Sequence, residues 1–526
     1  MKLSLALVST LLSTVSCATP NPSLTSSLFA RPSSSASVSD DAAAASLPAS
    51  PFSLSKTFGS NMVLQRDSPA VLFGAAPAGS QVSIVLDGDA ASQSFLATAD
   101  SAGIWRQFLP SQPATKDGQG RSLSFSAFGS DENPFATISN VLFGDVYMCG
   151  GQSNMQHSSI VLDADEVAKA DSYPTIRVFT VGQGTGQVES PLSDLVTVEQ
   201  GWTVASSAAI ANPDSFAYFS AVCWVFGRTI HDSLGGAVPI GLVSNNWGGT
   251  SVHLWADDAA FDTCGLDRGD DKTLYNSMVY PYAVGPTSLS GFIWYQGESD
   301  ADEGPLMEQY NCLFPEMINS WRRDFNKPDA FFGFVIISTW CPGSTTSVPA
   351  MRDVQLASVS SLSNIGWATN ADHGAGCDIH PGKKAFIGRR LAASAMDIKY
   401  GVTDGMYEWR SPIYETANYL GGGAVAVSVS KKSSGRDTSR TLKDVYPYNQ
   451  GTVDCEGDGK GQCSWGEIFF EDGVWRNATL SVLGKDEILM TVNAEFDQAW
   501  GNATKTKFGY SAIPMMVSTN KHRVAA

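Results

Sequence analysis

Hydrophobic and polar residues alternate along the first well-populated stretch of the chain, residues 52–142. Short alternating segments such as Gln81–Leu86 and Leu123–Phe128 lie there between turns rich in Gly, Pro and Asp. Alternation with a period of two is typical of strands that bury one face only. The pattern therefore predicts a small β-sandwich domain over residues 52–142.

From residue 143 the apolar positions form continuous runs, which are separated by stretches of helical period such as Leu306–Phe325. Continuous apolar runs that alternate with helices indicate a parallel sheet covered on both faces. We therefore predict an α/β domain over residues 143–400. Its predicted core strands are Val146–Cys149, Ile240–Val243, Phe292–Tyr295, Phe332–Ile337 and Ile365–Ala368.

Two further regions complete the predicted organisation. Residues 19–50 are rich in Ser, Ala and Pro and contain almost no large apolar side chains, so we predict a disordered spacer. From residue 401 to 526 the β-type alternation returns, which predicts a C-terminal β-rich domain.

The N-terminal residues have the layout of a secretory signal peptide. Lys2 precedes the apolar run Leu3–Leu12, and small residues follow around Cys17, so we expect residues 1–18 to be removed. An alternative is a lipoprotein acylated at Cys17. No later segment approaches twenty uninterrupted apolar residues, so no membrane span is expected. The protein is expected to be secreted or lumenal, in an extracellular or lysosome-like compartment.

Charge narrows the range of partners. The formal net charge is −18, from 34 basic and 52 acidic side chains. An acidic surface repels nucleic acid and anionic membranes, so neither is an expected partner. An acidic sugar is still compatible with it, because a few local cations can hold one carboxylate.

Eight cysteines follow the predicted signal peptide, an even number that permits up to four disulfides in an exported protein. Cys455 and Cys463 flank a Gly-rich loop and are the predicted pair, whereas Cys149 lies in an apolar strand that suits a buried free thiol. Asn477 and Asn502 begin glycosylation sequons, which a eukaryotic secretory route would use. No Cys and His residues follow zinc-binding spacing, so no metal is expected.

Ligands of open parallel sheets gather beyond the carboxyl ends of the strands. After the first core strand, Ser153 lies in a Gly-rich turn into a helix, where its hydroxyl is presented and its N–H can face an anion. The second Gly of the Gly-x-Ser-x-Gly elbow is missing, which argues against an α/β-hydrolase fold.

Two later strand ends supply candidate donors to an oxyanion. Gly248 and Gly249 follow the second core strand, and glycines let a backbone N–H approach a ligand closely. Gln296 follows the third, and its side-chain amide can donate to the same oxyanion. Taken singly, each feature also fits an ordinary structural turn.

If the chain is a serine hydrolase, its base must be a histidine, and the chain has six histidines. His157 lies one helical turn past Ser153 and cannot easily face its hydroxyl. His231 lies in an amphipathic helix, and His522 lies in the C-terminal tail. These three are therefore poor candidates.

The other three histidines follow strand ends. His253 comes after the two glycines and is a candidate substrate contact. His373 and His380 both follow the last core strand, and His380 has Asp378 nearby and a helix-like segment, residues 381–396, behind it. Because a carboxylate near the base fixes its tautomer, we predict His380 as the base and Asp378 as its orienting group.

Several segments of the chain resemble the sialate O-acetylesterase family, over about residues 55–395. The resemblance is carried by Gly144–Met155 (GDVYMCGGQSNM), Gly241–Trp255, Leu274–Val279, Gly291–Ser299 (GFIWYQGES), Asp378–Pro381, Gly388–Leu391 and, upstream, Asn61–Arg66. It implies an α/β fold in which a flavodoxin-like SGNH hydrolase core is flanked by N-terminal and C-terminal β domains. It also implies a serine esterase without a cofactor that acts on acetylated carbohydrate.

Carried over to matching positions, the resemblance implies Ser153 as nucleophile, His380 as general base and Gly248 as an oxyanion donor. Gln296 stands near the position where other SGNH enzymes use Asn. We therefore expect an oxyanion hole built from the N–H groups of Ser153 and Gly248 with the amide of Gln296.

The chain departs from the family pattern at two positions. SGNH enzymes place Asp three residues before the base, where this chain has Cys377, so either Asp378 or a backbone carbonyl orients His380. His253 stands where relatives carry Glu. Arg352, after the fourth core strand, is our predicted partner for a substrate carboxylate.

Three functions are compatible with these observations. The first is sialate O-acetylesterase activity, and the second is deacetylation of another glycan, such as xylan, by the same mechanism. The third belongs to a different class, an inactive glycan-binding protein, which the intact Ser153 and His380 disfavour.

Overall fold

The computed structural model describes residues 52–87, 92–116, 123–129, 134–212, 215–269, 272–285, 287–301, 305–340, 347–375, 377–402, 409, 414–429, 444–447, 466–483, 487–508 and 516–519. The predicted signal peptide and spacer, the predicted Cys455–Cys463 pair and His522 lie outside the described residues.

Short strands form the N-terminal region, as the alternating pattern predicts. They are β1 (Ser53–Leu54), β2 (Val63–Gln65), β3 (Ala70–Ala75), β4 (Gln81–Asp87), β5 (Gln93–Thr98), β6 (Ile104–Leu109) and β7 (Leu123–Phe128). Strands β1, β3 and β6 form one antiparallel sheet, and β4 pairs antiparallel with both β5 and β7. Along β4 the buried side chains are Val82, Ile84 and Leu86, every second residue, as expected for a strand with one buried face.

One long strand, β8 (Ala136–Gly151), connects this region to the parallel sheet. Its first part pairs antiparallel with β7, and its second part pairs in parallel with neighbours on both sides. The boundary between residues 142 and 143 therefore falls inside a continuous strand.

The parallel sheet has the strand order β10-β9-β11-β8-β12-β13-β14. Only the edge strand β10 runs antiparallel to its neighbour within this order. The strands besides β8 are β9 (Ile176–Val181), β10 (Val198–Val204), β11 (Ile240–Asn246), β12 (Gly291–Tyr295), β13 (Phe331–Val335) and β14 (Ile365–Ala368). All five predicted apolar runs fall on strands of this sheet, which confirms the α/β prediction.

Helices cover both faces of the sheet. They are α1 (Ser153–Gln156), α2 (Ala164–Ala168), α3 (Ser207–Ile210), α4 (Ala221–Ser233), α5 (Asp258–Cys264), α6 (Tyr280–Ala283), α7 (Pro305–Asp324), α8 (Ser347–Ser358) and α9 (Lys384–Ile398). Tyr147 and Cys149 of β8 pack with α4 and α9, whereas Val146 and Met148 pack with α5, α7 and α8. Both faces of the strand are buried, so its sequence lacks polar alternation.

Antiparallel strands return in the C-terminal region. They are β15 (Tyr414–Gly421), β16 (Ala424–Val429), β17 (Asp444–Pro447), β18 (Gly466–Phe470), β19 (Trp475–Val482), β20 (Glu487–Val492), β21 (Ala503–Phe508) and β22 (Met516–Thr519). Six of them form a sheet in the order β15-β16-β20-β19-β18-β21, and β17 pairs with β22. This region buries a small core of its own, which includes Ile468, Phe470 and Met490.

Disulfides join strands and helices of the α/β region. Cys149 is bonded to Cys223, so the prediction of a free thiol at Cys149 is wrong. The first turn of α4 packs over β8 and brings Cys223 to it, a proximity that the sequence does not reveal. Cys264 is bonded to Cys312, which links α5 to α7, and Cys377 is also disulfide-bonded.

Two remaining surface features bear on the secretory prediction. Asn502 is exposed, whereas Asn477 is half-buried on β19, so Asn502 is the more accessible of the two sequons. Among the described residues, none of the helices combines the length and apolar character needed to cross a membrane.

Candidate active site

The turn between β8 and α1 places Ser153 at the carboxyl edge of the sheet. Gly151 has φ +137°, and a Cβ there would lie 2.2 Å from the carbonyl oxygen of Tyr295 on the neighbouring strand β12, so this turn requires glycine. Gln152 donates its N–H to the same carbonyl at 3.0 Å. Ser153 then opens α1 with a half-buried side chain, and a first-turn N–H has no acceptor within its own helix.

His380 is held beside this helix through its neighbour in sequence. The buried Asn154 donates from Nδ2 to the carbonyl oxygen of Ile379 at 2.9 Å, which fastens the turn before His380 to the residue after Ser153. Nε2 of His380 is buried and has no hydrogen-bond partner in the described part of the chain. Catalytic hydrogen bonds often tighten only when substrate binds, so this nitrogen is free to accept a proton there.

Aromatic rings surround the imidazole of His380. The ring of His157 lies 6.2 Å from it and that of Phe216 5.5 Å from it, centroid to centroid, and these two rings stack on each other at 4.3 Å. Burial, followed by the charge of Lys384, lowers the pKa of His380, while Asp378 opposes the change. The pKa of His157 falls to about 3, chiefly by burial, so His157 stays neutral and forms part of the wall.

Asp378 acts on the backbone of the turn in this structure. Its carboxylate is exposed, and Oδ1 accepts the backbone N–H of His380 at 2.9 Å. No hydrogen bond joins Asp378 to the imidazole within the described residues. The assignment of Asp378 as the group that orients the ring stays a prediction.

Gly248, after β11, lies directly beside the candidate nucleophile. A Cβ on Gly248 would be 3.2 Å from Cβ of Ser153 and 2.8 Å from Oε1 of Gln156. The N–H of Gly248 donates to that Gln156 oxygen at 2.7 Å. The candidate oxyanion donor is therefore capped by the protein's own amide oxygen, which a substrate carbonyl would have to replace.

Gln296 lies below the surface of the site. Its side chain is fully buried, and Nε2 contacts the Thr250 carbonyl oxygen at 3.0 Å, Gln152 Oε1 at 3.2 Å and the carboxylate of Asp300. In this arrangement Gln296 supports the loops that carry the site. Its role as a third oxyanion donor stays a prediction.

His253 lies in a 3-10 turn, Val252–Trp255, close to buried polar groups. Its Nε2 is 2.5 Å from Oε1 of Gln309, and its Nδ1 is 3.9 Å from the carboxylate of Asp300. Burial raises the pKa of Asp300 to about 7. His253 is thus tied to α7 and to Asp300, and its contact with substrate stays a prediction.

Arg352 is directed at the end of a core strand. From α8 its Nε donates to the Ile337 carbonyl oxygen at 3.0 Å and a terminal nitrogen donates to Ser338 at 2.8 Å. Burial lowers its pKa to about 10. These contacts fit a side chain that holds the chain after β13, and they do not support the predicted contact with a substrate carboxylate.

His373 is positioned away from this role by its own packing. Its ring stacks on Phe386 of α9 at 3.7 Å. His231 lies within α4, where its Nε2 pairs with Thr175 at 2.9 Å, beside the start of β9 and thus at the edge of the sheet opposite to the carboxyl ends. Of the two histidines after β14, His380 is the one whose turn is hydrogen-bonded to the residue after Ser153.

Three buried polar residues next to the site escaped the sequence analysis. Asn154 contacts Oε1 of Glu298 at 2.5 Å, and its own Oδ1 accepts from Nζ of Lys384. Fully buried charged side chains are rare unless they are paired. Asn154 and Glu298 lie inside quoted motifs and Lys384 lies four residues after His380, but the sequence did not reveal that they contact one another.

Comparison with known proteins places the chain in a family. A family model described as carbohydrate esterase, sialic acid-specific acetylesterase matches residues 143–397. The mouse (Mus musculus) sialate O-acetylesterase is 30% identical over 404 residues, which cover 65% of this chain and 72% of the mouse protein. The human protein of the same name is 32% identical over 310 residues, 52% of this chain and 57% of its own.

The fold has a solved counterpart. A carbohydrate acetylesterase from Xanthomonas citri superimposes with a TM-score of 0.71 at 24% identity, over 90% of this chain and 98% of that one. At this identity the likeness shows the fold, and the sequence relatives carry the assignment. The chain therefore belongs to the sialate O-acetylesterase family of carbohydrate esterases.

Proposed function

We propose that this protein is a secreted or lumenal sialate O-acetylesterase that uses Ser153 and His380. The observation that carries the proposal is the meeting of three strand ends. Gly248 lies against Ser153, and the turn that ends in His380 is bonded to Asn154. These are the positions where the family motif calls for an oxyanion donor, a nucleophile and a base.

The proposed reaction follows from this arrangement. His380 Nε2 accepts the proton of the Ser153 hydroxyl as the hydroxyl oxygen attacks the acetyl carbonyl carbon. The carbonyl oxygen, which on binding has replaced Oε1 of Gln156 on the N–H of Gly248, becomes negative and is stabilised there, with the N–H of Ser153 as second donor. Removal of one such donor typically costs about 10²–10³ in kcat.

Breakdown of the intermediate uses the same two residues. His380 returns the proton to the sugar oxygen, the C–O bond breaks and the sugar leaves with a free hydroxyl. Water, deprotonated by His380, then attacks the acetyl ester on Ser153, and acetate leaves as Ser153 regains its proton. Nucleophile and base therefore act as one unit, and the loss of either should cost about as much as the loss of both.

The finer architecture is part of the proposal. We assign a flavodoxin-like SGNH core to residues 143–400, flanked by a β-sandwich domain, residues 52–142, and a C-terminal β domain, residues 401–526. A parallel sheet covered by helices on both faces supports the core assignment. Disulfides in that core support passage through an oxidising compartment.

The choice of sugar rests on relatives, since the curated proteins that match are named sialate O-acetylesterases. One observation favours a second candidate, deacetylation of a neutral glycan such as xylan. Arg352, the predicted partner of the sialate carboxylate, donates to backbone carbonyls. The inactive glycan-binding alternative is disfavoured, because Ser153, Gly248 and the turn before His380 are assembled together.

The test is release of acetate by the purified full-length protein from acetylated sialic acids and from acetylated xylan, measured side by side. Ser153→Ala and His380→Ala should each abolish release, and His373→Ala, a control at the other histidine after β14, should retain most of it. Faster release from xylan would replace sialate with a neutral glycan. Undiminished release by Ser153→Ala would refute the mechanism.

A further inference from the structure

The side chain of Asn154 links four elements around the site through hydrogen bonds. Its carboxamide is completely buried, and Nδ2 donates to Glu298 Oε1 at 2.5 Å and to the Ile379 carbonyl oxygen at 2.9 Å. Its Oδ1 accepts from Nζ of Lys384. Both amide hydrogens and the amide oxygen are therefore used, and α1, the end of β12, the turn before His380 and the start of α9 are held together.

The two charged groups that contact Asn154 lie at opposite ends of its side-chain amide. The ammonium of Lys384 faces the amide oxygen and the carboxylate of Glu298 faces the amide nitrogen, so each charge meets the favourable end of the amide dipole. Lys384 is fully buried and Glu298 is 3% exposed. Buried charges are tolerated when they are paired and hydrogen-bonded, and removal of one partner leaves the other uncompensated.

We propose that Lys384 is a positioning residue, which holds the turn of His380 against α1 through Asn154 and whose buried charge sets the acid limit of the reaction. The inference rests on the proposed function, because it assigns a role in that reaction to a residue that does not touch substrate. It concerns the pH range in which the base works and the geometry in which it is held.

The groups that face His380 set the direction of the effect. They are Lys384 from α9, Asp378 from its own turn and His157, the residue after α1, while Glu298 meets the opposite end of the Asn154 amide from Lys384. Burial and then Lys384 lower the pKa of His380, Asp378 opposes them, and His157 remains neutral.

The titration of Lys384 itself fits this role. Burial lowers its pKa to about 7, against the opposing charges of Glu298 and Asp378. Lys384 therefore carries its proton below that pH, where a histidine with an ordinary pKa of about 6.5 would begin to gain its own. A general base works only when it is neutral, so a lower pKa of His380 extends activity toward acid.

The experiment measures kcat/KM of the full-length protein against pH with a chromogenic acetate ester. Lys384→Met should move the midpoint of the acid limb up by about half a unit to one unit, because a nearby positive charge is lost. It should also lower kcat at the pH optimum. The matched control is Lys383→Met, which removes an exposed lysine. Water and salt screen the charge of Lys383, so the midpoint of the acid limb should not change in this variant.

A second variant keeps the test open if Lys384→Met does not fold. Glu298→Gln preserves an acceptor for Asn154 and removes the negative charge beside Lys384. The pKa of Lys384 then falls further, because the charge of Glu298 no longer raises it, and Lys384 loses its proton in mild acid. The acid limb should therefore move up, in the same direction as that of Lys384→Met. Thermal unfolding of each variant shows whether the fold is retained.

Each possible result either supports or overturns the role proposed for Lys384 or the proposed function. If the wild type releases no product, the proposed function fails, independently of Lys384. If the wild type is active and the limb of Lys384→Met coincides with that of Lys383→Met, the inference is overturned, even if kcat falls. If Lys384→Met unfolds, an unmoved or lowered limb in Glu298→Gln overturns the inference, and an upward shift supports it.

Discussion

Replacement of Asp378 by Asn distinguishes a catalytic triad from a dyad. In a Ser-His-Asp triad the carboxylate accepts the imidazole Nδ1–H, and the change to Asn lowers kcat by about 10⁴. Here Oδ1 of Asp378 accepts the backbone N–H of His380 at 2.9 Å, and the carboxylate is exposed. Asn keeps an oxygen at that position, so the turn should survive and only the charge should be lost.

The size of the expected loss follows from that geometry. An exposed charge contributes up to about 1 kcal/mol to a neighbouring ion, so Asp378→Asn should lower kcat less than about tenfold. Asp378→Ala also removes the hydrogen bond to the turn, worth about 1.5–3 kcal/mol for a charged acceptor, and should lose about 10–200-fold. Because Asp378 raises the pKa of His380, both variants should move the acid limb to lower pH.

The assay is steady-state hydrolysis of a chromogenic acetate ester by Asp378→Asn, Asp378→Ala and wild type across the acid limb, with thermal unfolding as the control for folding. A loss near 10⁴ in Asp378→Asn would show that the carboxylate turns to the imidazole in the working enzyme. The orientation of His380 by the backbone alone would then be refuted.

Two more predictions concern the oxyanion side of the site. Gly248→Ala places a methyl group 2.8 Å from Gln156 Oε1 and 3.2 Å from Ser153 Cβ. We expect kcat to fall by about 10²–10³ with little change in thermal unfolding. A kcat near that of the wild type would contradict the assignment of Gly248 as an oxyanion donor. The glycine turn beside Trp247 predicts a small acyl pocket, so each added methylene should raise the activation free energy by about 1–3 kcal/mol. Initial rates should therefore fall from acetyl to butyryl to octanoyl esters, and equal rates on all three would exclude a small pocket.

The sheet could be predicted from the sequence where its strands are apolar throughout. β9 was missed because Arg177 and Thr180 interrupt its apolar residues, although both side chains are buried. The guanidinium of Arg177 donates to the carbonyl oxygens of Pro174 and Asn61, which compensates its burial. Asn61 is 116 residues away in the sequence, so local periodicity does not report this compensation.

Sequence motifs and the positions of the strand ends were enough to predict only part of the site. Ser153, Gly248 and His380 each follow a core strand, and the topology of a parallel sheet brings such residues to one edge. No role could be assigned to Asn154, Glu298 and Lys384, because a polar residue in a helix or loop is usually exposed. Their importance appears once burial and hydrogen bonds are known.

The hydrogen bond between Gly248 and Gln156 at the oxyanion site favours stabilisation of the transition state over binding of the substrate. In the free protein the N–H of Gly248 donates to Gln156 Oε1 at 2.7 Å, so this donor is neither unsatisfied nor hydrated when substrate is absent. An ester carbonyl that takes its place exchanges one neutral acceptor for another, so binding of substrate gains little from the exchange. As Ser153 attacks, the carbonyl oxygen becomes negative, and hydrogen bonds to charged acceptors are roughly twice as strong as neutral ones. The gain is therefore made in the transition state, where an interaction must be stronger than in the ground state to accelerate the reaction.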